Sequence, residues 1–246
     1  MRYFPFKPTP AYEILDASQD YSGDKTLVVG GGGLGTHFFA PHLDRITRQP
    51  HERKLIAWGV GVDNVVDMSG KVLDPTAQYD LYGNWFDAFD EVGIRVWGNH
   101  PRYKWIPCSS CLHPAFFKFR DIKPTQFLGV YNHKRLPLVN PGETDFSLLD
   151  NAGDNIVEKL EFLSRHEYIL TNTYHGVYWA TLLNRKAICV PFKSGLFSFK
   201  HKPAYSTGSL NDELFHQAQS YPDSLEECRT ANIDFYTYLM NKYGDI

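Results

Sequence analysis

Glu167–Phe192 runs EYILTNTYHGVYWATLLNRKAICVPF, and the order of its residues specifies a strand, a loop, a helix and a second strand. Tyr168-Ile169-Leu170 is a short apolar run, and Thr171-Asn172-Thr173 supplies the side-chain oxygens that cap helix N-termini. His175-Gly176 then opens the helix. Val177, Trp179, Ala180, Leu182 and Leu183 give it a broad apolar stripe. Asn184-Arg185-Lys186 closes it with the positive charge that suits a helix C-terminus, and Ala187–Val190 resumes as a buried strand. Strands joined by a helix of this length lie parallel, which puts the loop at the carboxyl end of the first strand, where open α/β sheets bind ligands. A histidine and backbone N–H groups at a helix N-terminus suit an anion. The competing reading is that His175 only packs or caps.

A similar plan stands near the start of the chain. Thr26-Leu27-Val28-Val29 is a fully apolar strand followed by Gly30-Gly31-Gly32-Gly33-Leu34-Gly35 and a helical segment to about Arg48. Four consecutive glycines are costly in conformational entropy unless a ligand or another backbone must come close. A dinucleotide site built on Gly30, Gly32 and Gly35 also wants an acidic residue about 20 residues on, at the end of the second strand. That strand, Lys54–Trp58, runs instead into Gly59-Val60-Gly61-Val62, with Asp63 arriving late. Two successive strands therefore end in glycine loops on one sheet edge, a floor for a ligand in which Gly31, Gly32, Gly33 and Gly61 are the candidate contacts; tight packing is the alternative.

Between and beyond these units the pattern is less regular. Met1–Asp24 carries three prolines and reads as an extended arm or a strand. Val92–Gly98 reads as a strand with Arg95 near its end, and Asn99–Phe117 as a long irregular loop. Phe119–Pro124 looks like a boundary. Phe127–Tyr131 starts a new strand that ends in the basic Asn132-His133-Lys134-Arg135. Glu143–Asn151 reads as a loop, Asn155–Arg165 as a helix, Lys193–Lys202 as a basic, aromatic loop, and Leu225–Tyr243 as a terminal helix. The repeated plan predicts an α/β protein of two Rossmann-like parallel-sheet halves facing a cleft, divided into residues 1–122 and 123–246, with a C-terminal helix.

Composition narrows the function classes. The chain has 246 residues and a formal net charge of −3, so no global basic field favours nucleic acid or an anionic membrane surface. No apolar run approaches the roughly 18 residues of a spanning helix, and the N-terminus lacks the apolar core of a signal peptide; a cytoplasmic location is expected. Four cysteines do not make a disulfide scaffold. Cys108 and Cys111 form a CxxC, but no second ligand pair follows, and only His113 stands nearby. A packed or substrate-facing loop is expected there, with no metal and no cofactor.

The motifs GGGGLG, WGVG and above all TNTYHGVYWATLLNRKAICVPF followed by FKH resemble those of the polysaccharide pyruvyl transferase family, whose members look like glycosyltransferases of the two-domain GT-B type. The resemblance implies transfer of a pyruvyl group from phosphoenolpyruvate to a sugar of a cell-surface polysaccharide. It places the family's HG motif on His175 and Gly176, the histidine binding the donor phosphate or carrying the proton. Where the family often has an arginine two residues earlier, this chain has Thr173, and the loss of a planar charged fork leaves a sugar-nucleotide donor open.

The expected activity is therefore a transferase acting on a polysaccharide or oligosaccharide, with a phosphorylated or sugar-nucleotide donor and a glycan acceptor. Donor contacts are assigned to Thr173, Gly176, Lys193, Lys200 and His201, and catalytic roles to His175, Asp63 and Arg95. His37 is a further candidate base, though Asp63 and His37 each suit a structural or exposed position better than a catalytic one. The other readings are a nucleotide-dependent oxidoreductase on the glycine loop and a non-catalytic carbohydrate- or anion-binding relative.

Overall fold

Two separate parallel sheets carry the chain, as the alternation of strands and helices predicts. The computed structural model describes residues 14–16, 18, 21, 25–35, 39–48, 53–62, 83–98, 102–206 and 210–244. The proline-bearing arm expected before residue 25 falls almost wholly outside these. Two units are distinguished by their internal packing. Unit 1 comprises Met1–Asn64, Lys71–Leu112 and Cys228–Ile246, and unit 2 comprises Val65–Gly70 and His113–Glu227. The division differs from the expected 1–122 and 123–246, and not only in grouping Val65–Gly70 with unit 2. Residues from His113 belong with unit 2, and the last nineteen residues return to unit 1.

In unit 1, β1 (Thr26–Gly30), β2 (Lys54–Val60), β3 (Glu91–Ile94) and β4 (Lys104–Trp105) form an all-parallel sheet in the order β1-β2-β3-β4. Strand β2 is buried on both faces, which is why its sequence shows no polar alternation. Leu55 and Ala57 join one cluster with Leu43 and Ile46 of α1 (Ala40–Arg48), whereas Ile56 and Trp58 point into another with Ile106, Phe235 and Leu239. The last two belong to the long C-terminal helix, Ser224–Tyr243, whose part beyond Cys228 lies in unit 1. Its Asn232 is fully buried and fully used: Oδ1 accepts the Trp58 indole N–H at 2.7 Å, while Nδ2 donates to the carbonyls of Pro107 at 3.2 Å and Cys228 at 2.9 Å. Such a buried amide fixes one seating of the helix, since any other strands its donors and acceptor.

The segment expected to be one irregular loop, Asn99–Phe117, holds more structure than its prolines suggest. It contributes the edge strand β4, a 3-10 turn at Ser109–Leu112 and the start of α2 (Ala115–Phe119). Cys108 and Cys111 are buried free thiols; Cys111 Sγ receives Asn232 Nδ2 at 3.4 Å, and Arg229 Nε donates to the Cys111 carbonyl at 2.9 Å. The CxxC is thus a packed turn. Among the described residues no group of three potential metal ligands occurs, and no helix is long and apolar enough to cross a membrane.

In unit 2, β5 (Gln126–Asn132), β6 (Ser147–Asp150), β7 (His166–Thr171), β8 (Lys186–Cys189) and β9 (Ala204–Tyr205) form a second all-parallel sheet, ordered β6-β5-β7-β8-β9. Strand β6 arises inside the stretch Glu143–Asn151 expected to be a loop; its Leu148 and Leu149 pair with Val130 and Tyr131 of β5. Leu128, Val130, Tyr168, Leu170 and Ile188 line one face. On the other side lie α3 (Ile156–Ser164) and α4 (Tyr174–Leu182), the latter packed on β7 and β8. Every residue of α4 from Gly176 to Leu182 is buried. It is a central helix surrounded by protein, where the sequence suggested a one-sided stripe.

Candidate functional site

The decisive segment folds as its order of residues requires. Thr173 is extended and caps α4, its Oγ1 accepting the Gly176 N–H at 2.8 Å, while Thr171 Oγ1 donates to the Tyr131 carbonyl at 2.7 Å and accepts the Thr173 N–H at 3.1 Å. The two threonines lock the end of β7 to β5 and to the first turn of α4. Asn184 closes the helix in the left-handed conformation with φ 58°, and the N–H groups of Arg185 and Asn184 return to the carbonyls of Ala180 at 2.8 Å and Thr181 at 2.9 Å. Arg185 was expected to complement the helix C-terminus. It is instead buried, giving its guanidinium to the carbonyls of Ser164 and Ile122.

Gly176 is glycine because nothing else fits. A Cβ there would meet Thr171 Oγ1, lie 2.6 Å from Thr173 Oγ1 and 2.8 Å from the Tyr131 ring. Together with the cap, this makes Thr173 and Gly176 the frame of the site: the threonine oxygen and the glycine N–H are bonded to each other and withdrawn from a ligand. His175 sits on the same turn, half-buried, its ring stacked on Trp179 at 4.5 Å and 25°.

Three segments meet at this carboxyl edge. Strand β7 lies between β5 and β8, so Asn132–Arg135, Asn172–Gly176 and Val190–Lys193 are neighbours. Asn172 stitches the first two together, accepting the His133 N–H at 2.9 Å and donating to the Leu136 carbonyl at 2.7 Å. The His133 ring meets Phe192 edge-on at 5.5 Å, and Lys193 lies over that same phenyl ring at 5.4 Å. His133 Nδ1 accepts the Arg135 N–H at 3.2 Å, which holds the imidazole as the neutral Nε2–H tautomer. Burial, then the charges of Lys193, Lys134 and Arg135, push its pKa below the ordinary histidine value. Among the described residues none of these three cations forms an ion pair with a carboxylate. Three cations gather at this edge around a neutral histidine, the electrostatics of an anion site.

Of the other donor residues expected from sequence, Lys193 belongs to this surface. Lys200 and His201 do not: both are spent on Glu227, which accepts His201 Nε2 at 2.7 Å and is ion-paired with the Lys200 ammonium. Burial, and then the neighbouring lysine charge, lower the His201 pKa, so the imidazole donates to Glu227 as a neutral group. His133, Lys134, Arg135 and Asn172 are the residues sequence reading missed as site groups. The signal for the first three was a polar, basic tetrapeptide at the end of an apolar strand.

In unit 1 the two glycine loops are zipped together. Gly61 N–H donates to the Gly32 carbonyl and Gly35 N–H to the Gly61 carbonyl, both at 2.9 Å. Gly31 and Gly32 take left-handed φ values of 78° and 61° to make the turn. Arg95, just past the end of β3, is buried with its guanidinium flat against Gly61, where a Cβ would lie 2.6 Å from Nη2. Three of the residues singled out from sequence, Gly32, Gly61 and Arg95, therefore share one sheet edge, with Gly33 beside them in the same loop. Asp63 and His37 lie outside the described residues. No family model, curated protein or solved structure matches the chain.

Proposed function

We propose that the protein is a transferase acting on a polysaccharide or oligosaccharide, with a phosphorylated donor bound at the cationic edge of unit 2 and a glycan acceptor at the glycine edge of unit 1. The observation that carries the donor half is the convergence of Lys134, Arg135 and Lys193 on a neutral His133, beside the first turn of α4 that bears His175. An enol phosphate such as phosphoenolpyruvate suits that surface, presenting phosphate and carboxylate together. In the proposed reaction an acid protonates the enol carbon, acceptor hydroxyls add to the carbon bearing the phosphate, and inorganic phosphate leaves as the ketal closes. His175 is assigned the phosphate or the proton, and Lys193 the donor's negative charge. The GT-B-type division of labour between the halves is part of this proposal, as is a cytoplasmic setting. The motif resemblance supports pyruvyl transfer over glycosyl transfer from a sugar nucleotide.

The test is phosphate release from phosphoenolpyruvate in the presence of glycan acceptors, paired with thermal-shift titrations of phosphoenolpyruvate and of a panel of sugar nucleotides. Phosphoenolpyruvate should stabilise the chain and release phosphate, and His175→Ala should cut turnover about a hundredfold or more while leaving the melting temperature nearly unchanged. Stabilisation by a sugar nucleotide alone would replace the pyruvyl donor with a glycosyl donor. A fully active His175→Ala protein would remove that residue from the chemistry.

A further inference from the structure

Unit 1 carries an aromatic pair that the assignment above leaves unused. Trp97 lies three residues beyond the end of β3 and is 40% exposed, and its ring meets Trp105 edge-on at 5.1 Å and 84°. Trp105 ends β4 directly opposite Ile94 in the parallel register. On the other side of β3, Val60 pairs with the same Ile94, and Gly61 follows it. The carboxyl edge thus reads in strand order as the Gly30–Gly35 loop, the Gly59–Gly61 turn, Arg95 with Trp97, and Trp105.

Trp97 is exposed where the neighbouring core residues Val96 and Ile106 are buried. The Trp105 contact holds the ring in one orientation, which reduces the entropy lost when a ligand stacks on it. The first part of the adjacent glycine loop, Gly30–Gly33, is open to the surface and carries no side chains, a neutral and shallow floor. An apolar plate near the open Gly30–Gly33 backbone matches a pyranose ring, whose C–H face is apolar and whose rim is all hydroxyl. It does not match a phosphate, which the cationic edge of unit 2 serves.

We propose that Trp97, buttressed by Trp105, is the stacking platform for a hexopyranose unit of the acceptor, with the open Gly30–Gly33 backbone facing its hydroxyls. The inference rests on the carbohydrate half of the function proposed above and is independent of the donor. The full-length chain should be titrated, without donor, with the methyl β-pyranosides of glucose, galactose, mannose and N-acetylglucosamine, followed by tryptophan fluorescence and saturation-transfer NMR. At least one should bind saturably. Trp97→Ala should weaken it by about tenfold or more, and Trp97→Phe should retain binding within about threefold. In the wild-type chain the bound sugar should also slow oxidation of the Trp97 peptide by N-bromosuccinimide, leaving the Trp179 peptide unaffected. That readout needs no variant to fold. Failure of every pyranoside to bind, or equal binding by Trp97→Ala, overturns the platform. Sugar binding that depends on Trp97 in a chain that releases no phosphate from phosphoenolpyruvate upholds the platform and removes the donor assignment alone.

Discussion

The two sheet edges are built on the same backbone plan and finished with opposite chemistry. In unit 1 the strand ends are glycines bonded to one another, with a buried arginine pressed on Gly61 and two tryptophans alongside. In unit 2 they are threonines and asparagines that fasten a helix, with cations standing around a histidine. The glycine edge exposes the Gly30–Gly33 backbone and Trp97, and the threonine edge exposes charge. Parallel strands alone dictate neither outcome. What distinguishes the two is which side chains follow each strand, and how tightly the first turn after it is packed.

Tightness gives the largest expected effect. Gly176→Ala would drive a methyl group into the oxygens of Thr171 and Thr173, breaking the cap that sets the whole edge. Overpacking together with a lost cap should cost about 2–4 kcal/mol. Chemical denaturation followed by hydrogen exchange should show the loss concentrated in β5, β7 and α4, with unit 1 much less affected. A Gly176→Ala protein as stable as the wild type would mean that the frame is not rigid, and the contrast between the two edges would lose its basis.

The second way to sharpen the contrast is pH. Four histidines of unit 2, His113, His133, His166 and His201, have pKa values lowered chiefly by burial. His166 is the clearest, buried with Nδ1 on the Phe162 carbonyl at 2.8 Å and Nε2 without a partner among the described residues. A histidine with a lowered folded pKa contributes its full stability above the unfolded value of about 6.5 and loses it as the pH falls below, because the unfolded chain takes up the proton first. In unit 1 the group of note is Glu91. Burial raises its pKa, but hydrogen bonds from Lys242, Tyr238 and Tyr243 outweigh that and leave it lowered. Its contribution persists down to the unfolded value of about 4.5 and is lost below, through its folded pKa. Hydrogen exchange between pH 6.5 and 5 should therefore soften unit 2 before unit 1, and His166→Leu should flatten part of that slope. Softening of both units in step would remove the distinction.

How much of this was legible in the sequence follows from where each partner lies. The strand, cap, helix and strand of Glu167–Phe192 were readable because every group that shapes them is local: Thr173 bonds Gly176, and Asn184 turns the helix end. Strand β6 was hidden because four residues among polar neighbours show no period, and only pairing with β5 makes them a strand. Strand β4 was masked in the same way by the surrounding prolines. Lys200 and His201 looked available because their partner, Glu227, is 26 or 27 residues away on the C-terminal helix. The convergence of cations on Asn132–Arg135 needed Lys193 and Phe192 beside it, which adjacency of strands supplies and sequence spacing does not.

The smallest effect probes the glycine edge itself. A Cβ on Gly31 would meet nothing within 4 Å, in contrast to Gly176, but the residue holds φ 78°, which an alanine adopts only with strain. Gly31→Ala should therefore cost about 1 kcal/mol of stability from backbone strain alone. Its methyl group would project from the exposed loop that the sugar is proposed to face. If that floor holds an acceptor, Gly31→Ala should weaken pyranoside binding by more than its loss of stability explains, while leaving the thermal shift with phosphoenolpyruvate unchanged. If stability falls by that amount and pyranoside binding does not change, the glycines serve the turn alone, and the acceptor stands on the tryptophans without them.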